Sequence, residues 1–506
     1  MKIIDTAHLD PNQKLSASHN HWIYNGLDCC VTMEILNVLK EDLDNQTNNT
    51  YQFSMDLHGP ITEMNLRGIL VDQKKRQELM IEYGRELVQV EENLNYIAIN
   101  GLGGKINWNS PIALKKLFYD VLKLPVHKKR NSKNEMVPTV NREALEKLKD
   151  HPDAAILVKH LLIHRDQSKR LGTLRTGIDP DGRFRSSFSI GGTNTGRLSS
   201  SYSDFDSGSN LQNIEERLRR IFISDPWYKF ANIDLEQADS RNIGAFCLLL
   251  FGDDTYLNAC ESGDLHTYVC RLVWPDLPWT GDLKQDRKIA DEKFYRGKSR
   301  RDVCKVLGHG TNYLGTPPTM AKHSHIDVAV VKEFQRVYFR AFPAIEKLHR
   351  YVERTLFETG RLTGLLGRRR DFLGRLNDSG TIRAAVAYLG QNATSDELNT
   401  GLLAVWSRNY LNGSEIEYSG NWDGHVQFLA QVHDSILFQY PQELEDVIVP
   451  KVLNDLVTHI PIRGRDFAVP AEAMVGWNWS KHNPEKNPDG LMKYKSHDPR
   501  TRQENI

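Results

Sequence analysis

The segment that most constrains the fold is residues 426–440, where two strand-like runs flank a short polar tip. The runs alternate or are wholly apolar, and the tip between them is His433-Asp434-Ser435. Such runs around a short tip are typical of a β-hairpin. Turns favour Asp, so Asp434 also fits a turn residue without a role in function. However, Asp beside His is less common at a hairpin tip that is enclosed by apolar strands than in an ordinary turn. This unusual pair favours a functional role for the Asp434 carboxylate.

A second carboxylate, Asp234, stands at the end of another strand-like run, residues 229–234. From there the chain passes directly into a helix-like segment, residues 237–251. Because a strand end is rigid and Asp has few torsions, this carboxylate can be held for a metal. Considered alone, the segment is explained better by Asp234 capping the following helix.

The segment 301–313 is helix-like and places polar side chains along one stripe. At about 3.6 residues per turn, residues four apart form a slowly rotating stripe about 18 Å long. Its members are Arg301, Lys305, His309 and Tyr313. Two cations followed by two rings match a nucleoside triphosphate, which joins a polyanion to a sugar and an aromatic base. A solvated surface helix with a basic stripe fits these residues equally well.

Two glycines, Gly308 and Gly310, favour nucleotide binding by this helix. Each costs about 1 kcal/mol in a helix interior relative to Ala, so another factor must favour it. Close approach of the backbone to a ligand or a template base is such a factor. Paired carboxylates facing a cationic helix are what transfer of nucleotides requires. In that chemistry, two metal ions roughly 3.5–4 Å apart activate the attacking hydroxyl and neutralise the leaving pyrophosphate, and oxygen-only ligands favour Mg²⁺.

Charge balance constrains how this chain could bind a polyanion. Lys and Arg number 65, as do Asp and Glu, so the formal net charge is zero. A neutral chain that binds nucleic acid must concentrate positive charge locally. Each basic cluster alone is more typical of a solvated surface, and their value is cumulative. The clusters are residues 127–130, 217–220, 300–301 and 368–370.

The cysteines and the apolar runs indicate a soluble cytoplasmic protein. Six cysteines show no Cys-x-x-Cys spacing, so neither a disulfide framework nor a zinc site is expected. The start lacks the apolar core of a signal peptide, and the longest apolar run, residues 245–251, is too short to cross a bilayer. The polar stretch 44–50 is expected to be a connector, and residues 483–506 a flexible polar tail.

Taken together, these segments resemble family A DNA polymerases of the bacterial DNA polymerase I type, including phage replicative members. The resemblance covers residues 51–482. Motif A resembles residues 234–241, motif B residues 301–315, and motif C residues 432–434. Further matching segments are residues 195–200, 210–214, 367–369 and 383–391. The specificity comes from their order, which unrelated folds would not reproduce.

The resemblance implies an α+β, right-hand fold with a thumb, a palm built on an antiparallel sheet, and helical fingers. It also implies the domain boundaries. These are an N-terminal segment 1–50 resembling the end of a proofreading exonuclease domain, a connection to the palm at 51–65, the thumb at 66–175, the palm at 176–265 and 346–482, the fingers at 266–345, and the tail at 483–506.

The implied activity is template-directed DNA synthesis, with dNTPs and primer–template DNA as partners and a monomer as the catalytic unit. By resemblance, Asp234 and Asp434 would hold two Mg²⁺ ions. Arg301 and Lys305 would meet the triphosphate of the incoming nucleotide. Lys305 would also protonate the leaving pyrophosphate.

The remaining implied roles concern the sugar, the bases and the DNA. His309 would face the sugar, Tyr313 would lie near the templating and incoming bases, and Asp239 would crowd the ribose 2′ position. Contacts near the minor groove can check the shape of a base pair without reading its sequence. The implied primer–template contacts are Arg197, Arg383, Gln391, His433, Arg368 and Arg369.

Five positions depart from the family pattern. They are Asp239 in place of Glu, His309 in place of Phe or Tyr, Leu314 in place of Gly, Ala387 in place of Asn, and Ser435 in place of Glu. Asp239 is one methylene shorter than Glu, which bears on ribonucleotide exclusion. His309 bears on discrimination against dideoxynucleotides. Ser435 leaves one fewer carboxylate at the site.

The N-terminal segment contains Tyr24-Asn-Gly-Leu-Asp28, which resembles the last of three proofreading exonuclease motifs. The two earlier motifs are not found before it, and Asp28 alone cannot hold a two-metal exonuclease site. We therefore expect no 3′→5′ exonuclease activity from this chain by itself. A separate exonuclease or processivity subunit could dock here, or the activity has been lost. An ordinary helix start explains Tyr24 and Asp28 nearly as well.

Two other functions fit part of the pattern. A single-subunit RNA polymerase shares the Arg/Lys/Tyr helix and the paired aspartates, but residues 210–214 and Gln237 favour DNA synthesis. A catalytically silent DNA-binding subunit would retain the basic clusters without needing both aspartates. The presence of Asp234 and Asp434 argues against it.

Overall fold

The computed structural model describes residues 16–102, 104–295, 297–411, 414–417 and 425–495. Helices dominate this part of the chain. They are α1 (Ala17–Glu41), α2 (Asn45–Asp56), α3 (His58–Arg67), α4 (Gln73–Leu102), α5 (Pro111–Lys115), α6 (Arg142–Leu148), α7 (Ala155–Arg175), α8 (Ala238–Phe251), α9 (Thr255–Glu261), α10 (Leu265–Val273), α11 (Leu283–Ala290), α12 (Arg300–Asn312), α13 (Pro317–Ser324), α14 (Val328–Ala341), α15 (Pro343–Thr359), α16 (Ser379–Trp406) and α17 (Glu445–Leu456).

The strands are short and pair antiparallel throughout the described residues. They are β1 (Ile69–Val71), β2 (Lys128–Arg130), β3 (Met136–Pro138), β4 (Arg183–Phe184), β5 (Ser187–Ser189), β6 (Ser199–Ser201), β7 (Phe222–Ile223), β8 (Tyr228–Leu235), β9 (Lys293–Tyr295), β10 (Lys298–Ser299), β11 (Arg361–Thr363), β12 (Arg369–Asp371), β13 (Arg408–Leu411), β14 (Ser414–Glu417), β15 (Gln427–Val432), β16 (Ser435–Pro441), β17 (His459–Ile462), β18 (Arg465–Ala468), β19 (Ala471–Gly476) and β20 (Met492–Lys493).

The centre of the fold is a five-stranded sheet in the order β15-β16-β8-β19-β20. Apolar side chains of its central strands are fully buried, among them Phe230, Ile233, Ile436 and Phe438. Helix α17 packs on β16 and β19, and α3 packs on β15. The sheet is therefore a rigid support for the residues at the ends of its strands.

The predicted hairpin at residues 426–440 is confirmed as β15 and β16. Val432 pairs with Ser435, which leaves His433 and Asp434 as a two-residue loop. His433 has φ 59°, the positive value that two-residue hairpin loops require at their first position. The wholly buried flanking strands explain why the loop holds a fixed position.

Two long helices, α4 and α7, pack against each other and carry the segment between them. That segment has its own small core, which includes Leu94, Phe118, Leu145 and Leu161. It lies within residues 66–175, for which the resemblance predicts a thumb. A second core joins α8 to the helices of residues 265–356, which span the predicted fingers, 266–345, and the start of the predicted palm segment 346–482. The domain boundaries themselves stay predictions.

Two segments differ from the sequence-based expectation. The prediction of a connector at residues 44–50 is wrong, because Asp44 caps α2 by accepting from the Thr47 amide at 2.8 Å. The tail prediction is wrong for residues 483–495, where β20 pairs with β19 and Leu491 is buried. Backbone hydrogen bonds hold this segment in place; for example, the Leu491 amide donates to the Ser480 carbonyl oxygen at 2.7 Å. Such bonds do not require an apolar pattern in the sequence. Residues 496–506 lie outside the described residues.

The contact between α16 and α17 depends on Gly401. A Cβ at this position would lie 2.6 Å from the Leu456 Cα and 2.9 Å from its carbonyl oxygen. Because backbone atoms cannot move aside, we expect Gly401→Ala to lower the free energy of unfolding by about 2–3 kcal/mol. Urea unfolding followed by circular dichroism measures this change.

The matched control is Gly84→Ala in α4, where an added Cβ meets no atom within 4 Å. Ala has the higher helix propensity, so this change should stabilise the protein by about 0.5–1 kcal/mol. Equal stability of the Gly401→Ala variant and the parent would show that α17 does not pack this closely.

Candidate active site

The structure brings Asp234 and Asp434 together at one end of the central sheet. Asp234 lies next to the end of β8, and the Leu235 amide donates to the Asp434 carbonyl oxygen at 3.1 Å. Asp434 is half-buried, whereas Asp234 is exposed. Crowding by protein atoms, followed by the charges of Asp434 and Glu472, raises the pKa of Asp234 above its usual range. Burial likewise raises the pKa of Asp434. The site therefore concentrates negative charge that a cation would neutralise.

The strand register places two more residues beside Asp234. Ser435 is its cross-strand neighbour on β16, and Glu472 is its neighbour on β19. The Ser435 hydroxyl donates to the Val432 carbonyl oxygen at 2.9 Å, so it closes the hairpin. Glu472 is paired with Lys493 at 2.7 Å. Within the described residues, no group of three His, Cys, Asp or Glu side chains is arranged to hold a metal ion.

Helix α12 forms as its spacing predicts, because Ser299 and Asp302 form a capping box at its first turn. The Ser299 hydroxyl accepts from the Asp302 amide at 3.0 Å, and the Asp302 carboxylate accepts from the Ser299 amide at 3.2 Å. Lys305 is exposed and forms no ion pair with any residue that the structure describes. Tyr313 caps the C-terminus of the helix. The predicted stripe is thus presented by one rigid element.

Asp264 and His266, which were not predicted from the sequence, lie at the start of α10 beside the residues of the stripe, and Asp264 pairs with Arg301. Asp264 caps α10, accepting from the His266 amide at 3.1 Å and from the Thr267 hydroxyl at 2.8 Å. Its carboxylate also accepts from Arg301 Nε at 2.7 Å. One buried acid therefore orients residues on α10 and α12. Asp264 before an apolar run is a helix-start signal that sequence could have provided, but its pairing with Arg301 is not local.

His266 and His309 have lowered pKa values and are neutral at pH 7. Burial, helped by Arg301, His309 and Lys305, lowers the pKa of His266 to about 4 against the opposing effect of Asp264. Burial also lowers the pKa of His309, helped by Lys305. Neutral imidazoles beside cations can donate hydrogen bonds to an anion without adding charge.

Asp239 and Tyr313 are joined at the site. The Tyr313 hydroxyl donates to Asp239 Oδ2 at 2.8 Å, and Thr394 donates to Asp239 Oδ1 at 2.9 Å. Arg197 Nη2 lies 3.5 Å from the same Oδ1. Leu314 has φ 59°, a left-handed conformation that favours the Gly of the family pattern. Leu314 therefore adopts a backbone conformation that Gly would adopt at lower cost.

The predicted primer–template residues fall into two groups. Arg383 is exposed on α16, Gln391 is half-buried on the same helix, and His433 is exposed at the hairpin tip. The remaining arginines already have acidic partners. Arg197 faces Asp239, Arg368 Nε donates to both oxygens of Asp396 at 2.9 and 3.0 Å, and Arg369 Nη1 donates to Asp44 at 2.7 Å.

The exonuclease-like motif, residues 24–28, lies on α1. Tyr24 and Asp28 are both exposed on α1. The absence of proofreading from this chain alone stays a prediction. In the described part of the chain, no helix combines the length and apolarity that a membrane crossing needs.

Comparison with known proteins agrees with the geometry. The model of the family "DNA polymerase family A" matches residues 73–481. DNA polymerase I of Helicobacter pylori (strain ATCC 700392 / 26695) is 27% identical over 441 residues, covering 83% of this chain and 42% of the relative. DNA polymerase I of Geobacillus stearothermophilus is 26% identical over 435 residues, covering 81% and 44%. The chain thus spans less than half the length of these relatives.

A solved structure shows the same fold. It is described as the POL domain of Pol1 from M. smegmatis in complex with DNA primer-template and dNTP. It has a TM-score of 0.66 and 23% sequence identity, and the match covers 84% of this chain and 70% of that one. The predicted α+β, right-hand class is confirmed. On the match of the family model across most of its length, this chain belongs to DNA polymerase family A.

Proposed function

We propose that this chain carries out template-directed DNA synthesis, adding deoxynucleoside monophosphates to a primer 3′ end with release of pyrophosphate. The observation that carries the proposal is the meeting of Asp234 and Asp434 at one sheet end. The hydrogen bond from Tyr313, at the end of α12, to Asp239 on α8 supports a position of α12 on the same side as these carboxylates. Relatives named DNA polymerase I support the same activity.

The residues at the sheet end fit a divalent metal site. Burial is the main cause of the raised pKa of Asp234, and repulsion between Asp234 and Asp434 adds to it. A cation between them would relieve the repulsion, and carboxylate oxygens favour Mg²⁺. When bound, two Mg²⁺ ions would activate the primer hydroxyl and neutralise the leaving pyrophosphate. Asp234 and Asp434 would hold them, while the Ser435 hydroxyl stays engaged with the hairpin backbone.

The triphosphate of the incoming nucleotide would lie along the first turns of α12 and α10. Lys305 offers an exposed ammonium, and Arg301 is held in place by Asp264. His266 adds a hydrogen-bond donor from α10 without a net charge. Lys305 would also be the proton donor to the leaving pyrophosphate, because Arg cannot release a proton near pH 7.

The sugar and the base would contact the far end of α12. His309 and Tyr313 follow each other on the stripe, with ring centroids 6.2 Å apart. Asp239, held by Tyr313 and Thr394, would form the wall beside the ribose 2′ position. Primer–template DNA would meet the exposed Arg383 and His433, with Gln391 behind them.

A primer-extension assay tests the proposed function against its alternatives. With Mg²⁺ and a primed template, we expect the protein to incorporate the four dNTPs faster than the four rNTPs. Omission of the template or addition of EDTA should stop incorporation. A preference for rNTPs would favour an RNA polymerase-like enzyme. DNA binding without extension would favour a catalytically silent subunit.

A further inference from the structure

A chain of buried polar side chains runs from the interior of the protein to the candidate nucleotide site. It begins at Glu397 on α16, which is 2% exposed, and continues to Asn242 on α8, which is fully buried. Asn242 Nδ2 donates to Glu397 Oε2 at 3.0 Å and to the Thr394 hydroxyl at 3.2 Å. Thr394 donates to Asp239 at 2.9 Å, and Asp239 accepts from the Tyr313 hydroxyl at 2.8 Å. The chain thus links α16, α8 and the end of α12.

Two buried oxygens of this chain have no donor. Glu397 Oε1 and Asn242 Oδ1 are buried and have no hydrogen-bond partner among the described residues. A proton on the carboxyl group of Glu397 would leave one fewer buried acceptor without a donor. Burial raises the pKa of Glu397 to about 8, so the neutral acid persists at pH 7. An ionised Glu397 would leave Oε1 as a buried, charged acceptor without a donor, and this favours rearrangement of the hydrogen-bond chain at Asn242.

The charged groups around Glu397 act in the same direction as burial. Burial is the main cause of its raised pKa, the hydrogen bond from Asn242 opposes it, and the charges of Asp396 and Asp239 add to it. Asp396 is itself paired with Arg368, and Asp239 faces Arg197. After α17, the Thr458 hydroxyl donates to the Glu397 backbone oxygen at 3.2 Å and adds no charge. In the described ranges, no cation forms an ion pair with Glu397.

We propose that Glu397 is a positioning residue for nucleotide selection, acting through this hydrogen-bond chain on the Tyr313 hydroxyl. The inference rests on the proposed function, which places Tyr313 beside the incoming nucleotide. A merely structural role would not need this chemistry, because an apolar pair of similar shape can replace a buried polar pair at little cost. The polar chain instead selects one orientation of Asp239, and with it one position of the Tyr313 ring.

The test compares single-nucleotide incorporation by wild type and Glu397→Gln between pH 6.5 and pH 9. The Gln amide stays neutral, can donate to Asn242 and can accept from it. We expect the dNTP KM of wild type to rise about tenfold relative to Glu397→Gln as the pH passes 8, with the ratio of kcat values nearly constant. Glu397→Ala should raise KM by a similar factor at every pH.

The matched control is Glu63→Gln on α3. Glu63 is also buried, and burial raises its pKa to about 7. Its partner is Arg67, which is not part of the hydrogen-bond chain from Glu397 to Tyr313. For both acids, the unfolded chain ionises near its ordinary pKa while the folded protein keeps the proton. Wild-type stability should therefore fall relative to either Gln variant as the pH rises from about 5 to 8. Only Glu397→Gln should also change the pH profile of KM.

Two outcomes would overturn the inference. One is a KM profile of Glu397→Gln that parallels wild type over the whole range. The other is a folded Glu397→Ala protein, verified by an unchanged thermal transition, with wild-type KM. Lack of any extension by wild type at pH 7 would instead overturn the proposed function, and this inference with it. The two failures are therefore distinguishable.

Discussion

Replacing Asp434 with Asn is expected to lower the rate of primer extension at least about a thousandfold. Asn has the same shape as Asp, so the two-residue loop between β15 and β16 should keep its position. The change removes one of the two charges that would hold Mg²⁺ beside Asp234. Primer–template binding should stay within about threefold of wild type, because no positive charge is lost. Single-turnover extension and fluorescence anisotropy with labelled DNA measure the two quantities.

The Asp434→Asn protein also has a readout that does not require activity. Removal of a like charge should lower the pKa of Asp234, because Asp434 contributes to its rise. Carbon-13 NMR titration of the metal-free proteins follows this pKa. The matched control is Asp466→Asn, which alters an exposed carboxylate on β18 paired with His459 and should leave both quantities unchanged. Retention of a tenth or more of wild-type extension would show that Asp434 does not hold the metals.

Local patterns in the sequence were enough to predict the elements that carry the site. The hairpin at residues 426–440 follows from alternation around a polar tip, and its loop is set by neighbours in the chain. Helix α12 follows from four-residue spacing and a cap that lies within one turn. In both cases the information is contained in a few consecutive residues, so the strand end and the stripe could be placed before the fold was known.

Contacts between distant segments were not predictable in the same way. The Asp264–Arg301 pair joins two helices, and the bond from Asn242 to Glu397 spans α8 and α16. Helix α16 is buried almost all round and includes several polar residues, so it has no polar face that would mark Glu397 as unusual. A buried acid becomes visible only when the packing of the neighbouring helix is known.

Charge clusters were the least reliable guide to DNA contacts. Arg368 and Arg369 belong to a basic run, yet each donates to a carboxylate from a distant part of the chain, Asp396 and Asp44. Arg383, which is not part of any such run, is exposed on α16. In a chain with zero net charge, many cations are neutralised by acids that folding brings close, and sequence proximity does not reveal which ones.

Replacing Lys305 should have the second largest effect on catalysis, and two substitutions can separate its two proposed roles. Lys305 is the exposed cation of α12, whereas Arg301 already shares its charge with Asp264. We expect Lys305→Ala to lower kcat about a hundredfold to a thousandfold and to raise the dNTP KM about tenfold. Lys305→Arg keeps the charge for binding but cannot release a proton near pH 7. It should therefore retain a KM near wild type while kcat falls about a hundredfold.

Pre-steady-state incorporation over a range of dNTP concentrations gives both parameters. Lys288→Ala is the matched control, because it removes another exposed lysine from the neighbouring helix α11. It should leave kcat and KM within about twofold of wild type, as expected for a solvated surface charge. If Lys305→Arg had wild-type kcat, the proton would come from water or another residue, and Lys305 would act through its charge alone. If Lys305→Ala matched the control, the triphosphate would not lie along α12, and the stripe would be a solvated surface after all.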